Sequence, residues 1–436
     1  MAPASDAHRT HPLTALLQGL IWGAGVAVAV AWQVFDVQDP QWWKLLAVPG
    51  GFVVGVLAGY VSWLFTRYVI DDAEIRIERG VLFRSSRRIP FERLQSVDIN
   101  EPLIARVVGL SELTIEMAGG SDSRTTLRFL TLVESRRLRR LLLARAQGTE
   151  ATDESGESLV EEHRTILHVV TPDQIIIGTL LSLDFAATVL TTVGSIVAAV
   201  LLEDGGWALL GLIIPSSWAV AQMIMTRIIA QWNFTVSRGE RGVRIERGLL
   251  SRSSQTIPYD RVQGIGVVEP IVWRRFGWSR LDVDVAGYGN ASDDSGGVAS
   301  TTLLPIANDD VARRIVEELI PDPERGTAPE VRPTRRSWIF APIGWKFRSF
   351  AATLHTVTTT TGWITRHRSI VPHHKVQSVG LSQGPLQRRR GVATVQVHTP
   401  DGPVSAKIKH LDAPVARDVT FDEVERARLA RRLSRR

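Results

Sequence analysis

Two stretches of the chain repeat each other without a gap: residues 79–97 read RGVLFRSSRRIPFERLQSV, and residues 247–265 read RGLLSRSSQTIPYDRVQGI. The match continues further, since Glu101-Pro102 in the first copy corresponds to Glu269-Pro270 in the second. A third, weaker copy retains the following positions of the pattern: Gly362, Arg366, Pro372, Lys375, Gln377, Val379, Arg388, Gly391 and Val395. Such internal similarity indicates one structural unit that is used three times.

Each copy has the periodicity of an antiparallel sheet followed by a helix. Residues 74–78 alternate between charged and apolar side chains, which predicts a half-buried strand. Pro90 and Pro258 each mark the edge or end of a further strand, because proline lacks the N–H that a sheet requires. Apolar residues recur at helical spacing near the end of the first two copies, at Leu138, Leu141, Leu142, Val311, Ile315 and Leu319. Each copy is therefore predicted to be a curled sheet of about seven strands closed by one C-terminal helix.

The core Ile-Pro-x-x-Arg-x-Gln-x-Val runs from Ile89 to Val97 and from Ile257 to Ile265, with a weaker version from Val371 to Val379. It resembles the bacterial pleckstrin-homology-like (PH-like) domain of YdbS/YdbT-like membrane proteins. The resemblance implies membrane α-helical hairpins joined to three PH-like domains, each an antiparallel β-barrel or sandwich with a C-terminal helix. It also implies cytoplasmic domains without catalytic activity. A shorter family member, with one hairpin and one domain, is the partner that it implies.

Four apolar stretches are long enough to cross a bilayer, which takes about 20 residues. They run approximately over Leu13–Phe35, Leu45–Thr66, Ile175–Leu202 and Trp207–Ala230. Short connections join them in two pairs, so each pair is predicted to form a helix hairpin whose backbone hydrogen bonds are satisfied internally. The third copy follows no such stretch. Ser337–Phe347 is too short and is interrupted by Pro342, so we expect this segment to lie on the surface.

The charges that flank these stretches predict the orientation. The hairpin tips carry mostly acidic residues, at Asp36, Asp39, Lys44, Glu203 and Asp204. The opposite ends carry arginines, at Arg9, Arg67, Arg76, Arg79 and Arg227. The positive-inside rule then predicts a multi-pass protein of the bacterial plasma membrane, with both termini and all three PH-like domains in the cytoplasm. The first stretch is too long for a cleaved signal peptide, and no small-residue cleavage site precedes Asp36.

The repeat and the apolar stretches together predict the domain organisation. The two linkers differ in composition, since the first is acidic and the second is rich in proline. The predicted order is hairpin 1 (1–66), PH-like domain 1 (67–146), an acidic linker (147–170), hairpin 2 (171–231), PH-like domain 2 (232–320), a Pro-rich linker (321–347), and a degenerate PH-like domain 3 with a basic tail (348–436).

The composition excludes several classes of site. The chain has 436 residues and no cysteine, which excludes disulfides, thiolate metal sites and cysteine nucleophiles. Its net charge of +6 is too small an excess to indicate nucleic-acid binding. We find no phosphate-binding glycine loop, no Ser-His-Asp order and no His-Glu-x-x-His motif. The sequence therefore predicts a protein that is not an enzyme and has no cofactor, no metal site and no catalytic residue.

One basic position recurs in all three copies, two residues before a glutamine. These candidate positions are Arg93, Gln95, Arg261, Gln263, Lys375 and Gln377. One interpretation is contact with an anionic lipid headgroup or with another domain, and the other is a charge that stabilises the start of a strand. Further basic clusters favour contact with anionic lipid, since each charge near such a leaflet contributes about 1 kcal/mol.

Asp184 is the candidate intramembrane acid, because it lies within the third apolar stretch. A carboxylate at the centre of a bilayer costs roughly 2.5–3.5 kcal/mol, and one interpretation is that it serves as an ion or proton relay. The alternative is that the span begins near Phe185 and that Asp184 lies among the lipid headgroups.

These observations favour a non-enzymatic scaffold that presents PH-like domains to membrane lipids and to another membrane protein, with avidity from its tethered modules. The resemblance suggests a role in envelope stress or in resistance to membrane-active peptides. The alternatives are a transporter or channel component that uses Asp184, and an enzyme.

Overall fold

The computed structural model describes residues 7–9, 23, 25, 47–64, 67–70, 74–79, 85–117, 124–146, 165–202, 209–240, 242–286, 301–321, 323, 330–400 and 402–434. The chain divides into two compact units. One comprises Met1–Leu159 with Leu250–Gln255, and the other comprises Val160–Leu249 with Thr256–Arg436. The first predicted span, Leu13–Phe35, lies outside the described residues except for Gly23 and Gly25.

The first unit contains an apolar helix and a PH-like module. In chain order its elements are β1 (Ala7–Arg9), α1 (Ala47–Leu64), β2 (Arg67–Ile70), β3 (Glu74–Arg79), β4 (Ser85–Pro90), β5 (Leu94–Glu101), α2 (Leu103–Val107), β6 (Leu110–Met117), β7 (Arg124–Thr131) and α3 (Leu132–Ala146). β1 to β4 form one antiparallel sheet, and β5 to β7 pair antiparallel with one another. Residues 252–254, which belong to this unit, pair with the end of β5.

The core of the first unit lies between its strands and α3. Alternate residues of the strands point inward, such as Leu113 and Ile115 of β6, as the pleat of a strand requires. Leu138 and Leu142 of α3 are buried against them. The closing helix predicted for the first copy is therefore confirmed, since these are two of its predicted apolar residues.

The second unit contains two apolar helices and the second module. Its elements are β8 (Thr165–Val169), α4 (Pro172–Leu180), α5 (Leu183–Leu201), α6 (Leu210–Ile224), β9 (Thr235–Arg238), β10 (Gly242–Arg247), β11 (Arg252–Pro258, of which residues 256–258 belong to this unit), β12 (Val262–Pro270), α7 (Ile271–Arg274), β13 (Trp278–Val285), β14 (Thr302–Asn308) and α8 (Asp309–Leu319). The α8 helix buries Val311, Ile315 and Leu319, as its spacing predicts.

The third module has the same order of elements as the second. They are β15 (Ser349–Ala352), β16 (Thr356–Thr361), β17 (Thr365–Pro372), β18 (Ser378–Ser382), α9 (Pro385–Arg390), β19 (Val392–His398), β20 (Ala406–Asp412) and α10 (Ala413–Leu433). The predicted basic tail is thus the second half of the helix that closes this module. Val419 and Ala427 of α10 are buried in the core of the module.

One sheet joins the second and third modules within the second unit. Its strand order is β14-β13-β12-β17-β16-β15, and β12 pairs antiparallel with β17 from Ile265 opposite Ile370 to Pro270 opposite Thr365. β18 to β20 form a separate three-stranded sheet. The second and third modules therefore share backbone hydrogen bonds as well as side-chain contacts.

The helices α5 and α6 are long and apolar enough to cross a membrane. The second of these candidate spans reaches Ile229, because α6 continues through a π-helical turn at Met225–Ile229. In the first unit, α1 exposes the apolar side chains of Val53, Val54 and Leu57. Two candidate spans are found among the described residues. A second pair, at the N-terminal end of the chain, stays a prediction.

The predicted third span is not one continuous helix. The chain breaks at Leu181–Ser182, so that α4 precedes the apolar helix α5. The hydroxyl of Ser182 donates to the carbonyl of Thr179 (2.7 Å), which satisfies an acceptor that the end of α4 leaves free. Asp184 then lies in the first turn of α5, where the helix dipole favours a negative charge.

Both predicted linkers contain ordered structure. Thr165–Val169, predicted to lie in the acidic linker, form β8 and pair with β9, since Thr, Ile and Val suit a strand. The described part of the predicted Pro-rich linker packs on the third module. Val331 pairs with Phe350, and the carbonyl of Pro323 accepts a hydrogen bond from Thr356 (2.7 Å).

Candidate functional site

The second module is fixed directly to the base of the pair of apolar helices α5 and α6, which we call the apolar hairpin. The indole N–H of Trp273, in α7, donates to the carbonyl of Gly178 in α4 (3.1 Å). A Cβ at Gly178 would lie 2.7 Å from Ile306 Cδ1 and 3.2 Å from the ring of Trp273, so a larger residue there would require these side chains to shift. On the other side, the turn between β10 and β11 bonds to the end of the hairpin, with Leu249 N donating to Ile229 O (3.0 Å).

Asp184 forms an ion pair at this same end of the hairpin. Its carboxylate accepts from both terminal nitrogens of Arg227, which lies in the π-helical turn after α6, and the Nη1–Oδ1 distance is 3.2 Å. Arg227 also donates to the hydroxyl of Ser182 (3.2 Å). The pair therefore joins the beginning of α5 to the end of α6, and it is partly exposed.

Two arginines join the third module to the second where β12 and β17 meet. Arg366 of β17 forms an ion pair with the largely buried Glu269 of β12 (3.1 Å). Arg274 of α7 donates to the carbonyl of Trp363 (2.6 Å) and to that of Ile364 (3.3 Å). We call this boundary the seam. Because one partner of each contact is a main-chain group or a buried acid, these contacts fix the register of the two modules.

Lys375 makes a further contact across the seam. Its ammonium group donates to the carbonyl of Asp260 in the second module. Burial lowers the pKa of Lys375, and the neighbouring Asp260 opposes this effect. This contact agrees with the interpretation that the recurring basic position contacts another domain. Its role stays a prediction.

A cleft of about 650 Å³ lies along the seam. Its lining is polar and balanced in charge, with four arginines and four acids: Arg274, Arg313, Arg366, Arg368, Glu269, Asp309, Glu317 and Glu330. Ligand pockets of this size are usually lined mainly by apolar side chains. The cleft is therefore suited to a polar group or to water rather than to an apolar ligand.

Comparison with known sequences identifies the repeated module. The pattern of the family described as "Bacterial PH domain" matches residues 13–146, 180–322 and 331–431. The chain belongs to the bacterial PH domain family. The first two matches extend over the apolar stretches, whereas the third begins within the Pro-rich segment.

The chain is also similar to the "UPF0699 transmembrane protein YdbT" of Bacillus subtilis (strain 168), with 26% identity over 284 residues. This region covers 58% of the chain and 56% of that relative, so the chain spans about half the length of the curated relative that it matches. The predicted resemblance is confirmed. The family and this relative, together with the two apolar helices, indicate a membrane-associated, non-enzymatic protein.

The recurring basic and glutamine positions differ in their contacts and exposure from one PH domain to the next. Arg93 is exposed, and the side chain of Gln95 lies outside what the structure describes. Gln263 is buried and donates to the carbonyl of Arg261 (3.2 Å), so it supports the turn before β12. Gln377 is exposed. A shared binding role for these positions is not apparent from their contacts and stays a prediction.

The residue after the proline that recurs in all three copies contacts the closing helix in each PH domain. Phe91 lies under Arg145 of α3, with the guanidinium 5.9 Å from the ring centroid. The hydroxyl of Tyr259 donates to Glu318 of α8 (2.8 Å), and burial and this acid raise the pKa of Tyr259 to about 12. Sequence reasoning missed this position, although each of the three copies has an aromatic or histidine ring there.

In the third PH domain this residue is His373, which forms a buried pair. Its Nδ1 lies 2.8 Å from Oε1 of Glu423 in α10, and both side chains are at most 1% exposed. Its Nε2 lies 3.2 Å from the carbonyl of Thr353. His374 is exposed, and burial of part of its ring lowers its pKa. Within the described part of the chain, no group of three His, Asp or Glu side chains is arranged to hold a metal ion.

Proposed function

We propose that this protein is a membrane-anchored scaffold that holds its PH domains against the cytoplasmic face of the plasma membrane, where they bind proteins and lipid headgroups. The attachment of the second PH domain to the end of the hairpin supports this proposal most directly. Trp273 bonds to α4, which directly precedes the hairpin, and Leu249 bonds to Ile229 at the end of the hairpin, so the domain is not on a free tether. The seam extends the same attachment to the third PH domain.

The chemistry of the cleft agrees with a binding role. Arg366 is paired with Glu269 at the seam, and the lining of the cleft carries arginines and acids in equal number. We propose membrane lipids and another membrane protein as partners, the latter a shorter member of the same family. Because the tethered domains have a high effective concentration, weak contacts of several domains combine into stable binding.

The proposed topology is tested with single cysteines, since the chain has none of its own. Asp204→Cys lies at a predicted hairpin tip, and Ser434→Cys follows the exposed end of α10. We expect a membrane-impermeant maleimide to label intact cells at residue 204 only, and to label both variants after lysis. Labelling of residue 434 in intact cells would contradict a cytoplasmic location of the third PH domain.

The proposed partner is tested by crosslinking in native membranes, followed by purification of the full chain in detergent. We expect the chain to co-purify with a defined second membrane protein, and the complex to be recovered without crosslinker at low detergent. A chain that is consistently monomeric and forms no crosslinks in native membranes would rule out partner binding while leaving the topology intact.

A role of Asp184 in transport is tested by neutralising it. Asp184→Asn is expected to reduce stability by at most about 1 kcal/mol, because a partly exposed ion pair contributes little. Arg227→Gln is the matched control, and the double variant should equal either single variant in thermal unfolding. An ion-dependent phenotype that is lost in Asp184→Asn but kept in Arg227→Gln would instead favour the transporter alternative.

A further inference from the structure

The third PH domain has a short helical turn where the second PH domain has the end of a membrane helix. Thr235 of β9 pairs with Glu246, and Ser349 of β15 pairs with Thr360, so the first two strands have the same register in both domains. In the second domain, the π-helical turn that completes α6 ends at Ile229, a few residues before β9 begins at Thr235. The residues just before β15 are Gly344–Phe347, a single 3-10 turn.

The next turn has the same relation to this segment in both domains. In the second domain, Gly248 (φ +109°) begins the turn between β10 and β11, which bonds to the end of the membrane hairpin. In the third domain, Gly362 (φ +98°) begins the equivalent turn, and the ring of Trp363 contacts that of Phe347 with 6.5 Å between centroids. The turn that begins at Gly362 is therefore equivalent to the turn of the second domain that bonds to the end of the membrane hairpin.

Contacts within the second unit place this turn near the membrane independently of the repeat. Trp273 and Arg274 are neighbours in α7. Trp273 bonds to α4, which directly precedes the membrane helix, and Arg274 bonds to the carbonyls of Trp363 and Ile364. One helix of four residues thus connects the base of the membrane hairpin to the turn of the third domain.

Apolar side chains that nothing in the second unit covers are concentrated at this turn. Ile343, Phe347, Trp363 and Ile364, which we call the aromatic edge, are 36–56% exposed. Lys346 beside them is exposed, as is Arg275 after α7. Tryptophan and phenylalanine next to basic side chains are typical of a surface at the level of lipid headgroups.

We propose that the aromatic edge inserts into the headgroup region of an anionic bilayer, so that the third PH domain is held at the membrane without a hairpin of its own. Trp363, Ile364 and Phe347 enter the acyl boundary, and Lys346 and Arg275 contact lipid phosphates. The charge complementarity and the continuity with the base of the hairpin favour lipid over a protein as the occupant. This inference rests on the membrane location proposed above.

The test uses the full chain in nanodiscs that contain phosphatidylglycerol and phosphatidylcholine. Single cysteines at Ile364, Leu354 and Val197 are labelled with an environment-sensitive fluorophore. Leu354 is the matched control, because it is an exposed apolar residue at the opposite end of β16. Val197 reports insertion of α5, in which it is exposed.

We expect the label at residue 364 to be quenched by lipids that carry a nitroxide near the headgroup, and to be several-fold less sensitive to aqueous iodide than the label at residue 354. Lys346→Glu should reduce this difference, as should nanodiscs of phosphatidylcholine alone. Equal iodide quenching at residues 364 and 354 would overturn the inference, and so would protection from iodide without lipid quenching, which would indicate a protein contact. Lipid quenching at residue 197 shows that such a failure leaves the membrane anchor intact.

Discussion

His373→Ala is expected to destabilise the third PH domain by about 1–3 kcal/mol, the usual cost of leaving a buried polar group without its hydrogen-bond partner. Glu423 is fully buried in α10, and His373 lies 2.8 Å from its Oε1. Its other oxygen, Oε2, has no hydrogen-bond partner in the described structure. The alanine variant would leave the buried carboxyl group of Glu423 without its hydrogen bond to His373.

The measurement is hydrogen exchange of α10, together with thermal unfolding of the purified full chain. We expect faster exchange along Ala413–Leu433 in His373→Ala, with α8 of the second PH domain unchanged. Tyr259→Phe is the matched control at the equivalent position. Tyr259→Phe should destabilise the second PH domain by about 1 kcal/mol, because the hydrogen bond to Glu318 is partly exposed.

A compensating variant separates the loss of the pair from simple loss of volume. The double variant His373→Phe with Glu423→Leu should recover most of the stability, since buried ion pairs can be replaced by apolar residues of similar size at little cost. Phenylalanine is already the residue at this position in the first PH domain. If hydrogen exchange of α10 is no faster in His373→Ala than in Tyr259→Phe, the buried pair contributes little to the closure of the domain.

The repeat was sufficient to predict the strands and the closing helix of each PH domain, because local periodicity determines which faces are buried. The same information could not predict the partner of His373. Glu423 lies on a different element, and its contact depends on how α10 crosses the turn at His373–Lys375. All three copies carry a ring at this position, but the chemistry of its contact with the closing helix differs in each copy.

Apolar length was a less reliable guide to the membrane segments. It predicted a span that began at Ile175, whereas the chain divides into α4 and α5 at Leu181–Ser182. The break depends on a local hydrogen bond of Ser182 and on the docking of Trp273 against Gly178, and neither is encoded in mean hydropathy. The segment Ser337–Phe347 was predicted to lie on the surface, and its exposed Trp338, Ile339 and Ile343 agree with this.

Docking of the third PH domain on the second was not predictable from the repeat, because each copy was considered as a separate module. The docking depends on small residues in β12. Val404, which lies shortly before β20, approaches Gly264 and Gly266 of β12. A Cβ at Gly264 would lie 3.3 Å from Val404. Glycines within a strand often mark such a close approach of another segment.

Gly402→Ala is expected to loosen the seam between the second and third PH domains, at a cost of about 1–3 kcal/mol for overpacking a well-filled site. A Cβ at residue 402 would lie 1.8 Å from Oδ1 and 2.2 Å from Cγ of Asp284. Asp284 is 1% exposed in β13, so its short side chain has little room to move away. The loop that carries Gly402 must therefore retreat, and Val404 would leave its place over β12.

The expected result is faster hydrogen exchange in β12 and β17, whose backbone hydrogen bonds join the two domains, while α8 and α10 keep their protection. Gly384→Ala is the matched control, since Gly384 has an ordinary φ of −73° and the nearest atom to its added Cβ would be 3.8 Å away. Gly402→Ala should also increase the sensitivity of a label at residue 364 to iodide, because the seam holds the aromatic edge near the membrane. If both alanine variants exchange like the parent protein, the loop at Gly402 adjusts freely and the close approach to Asp284 does not hold the two domains together.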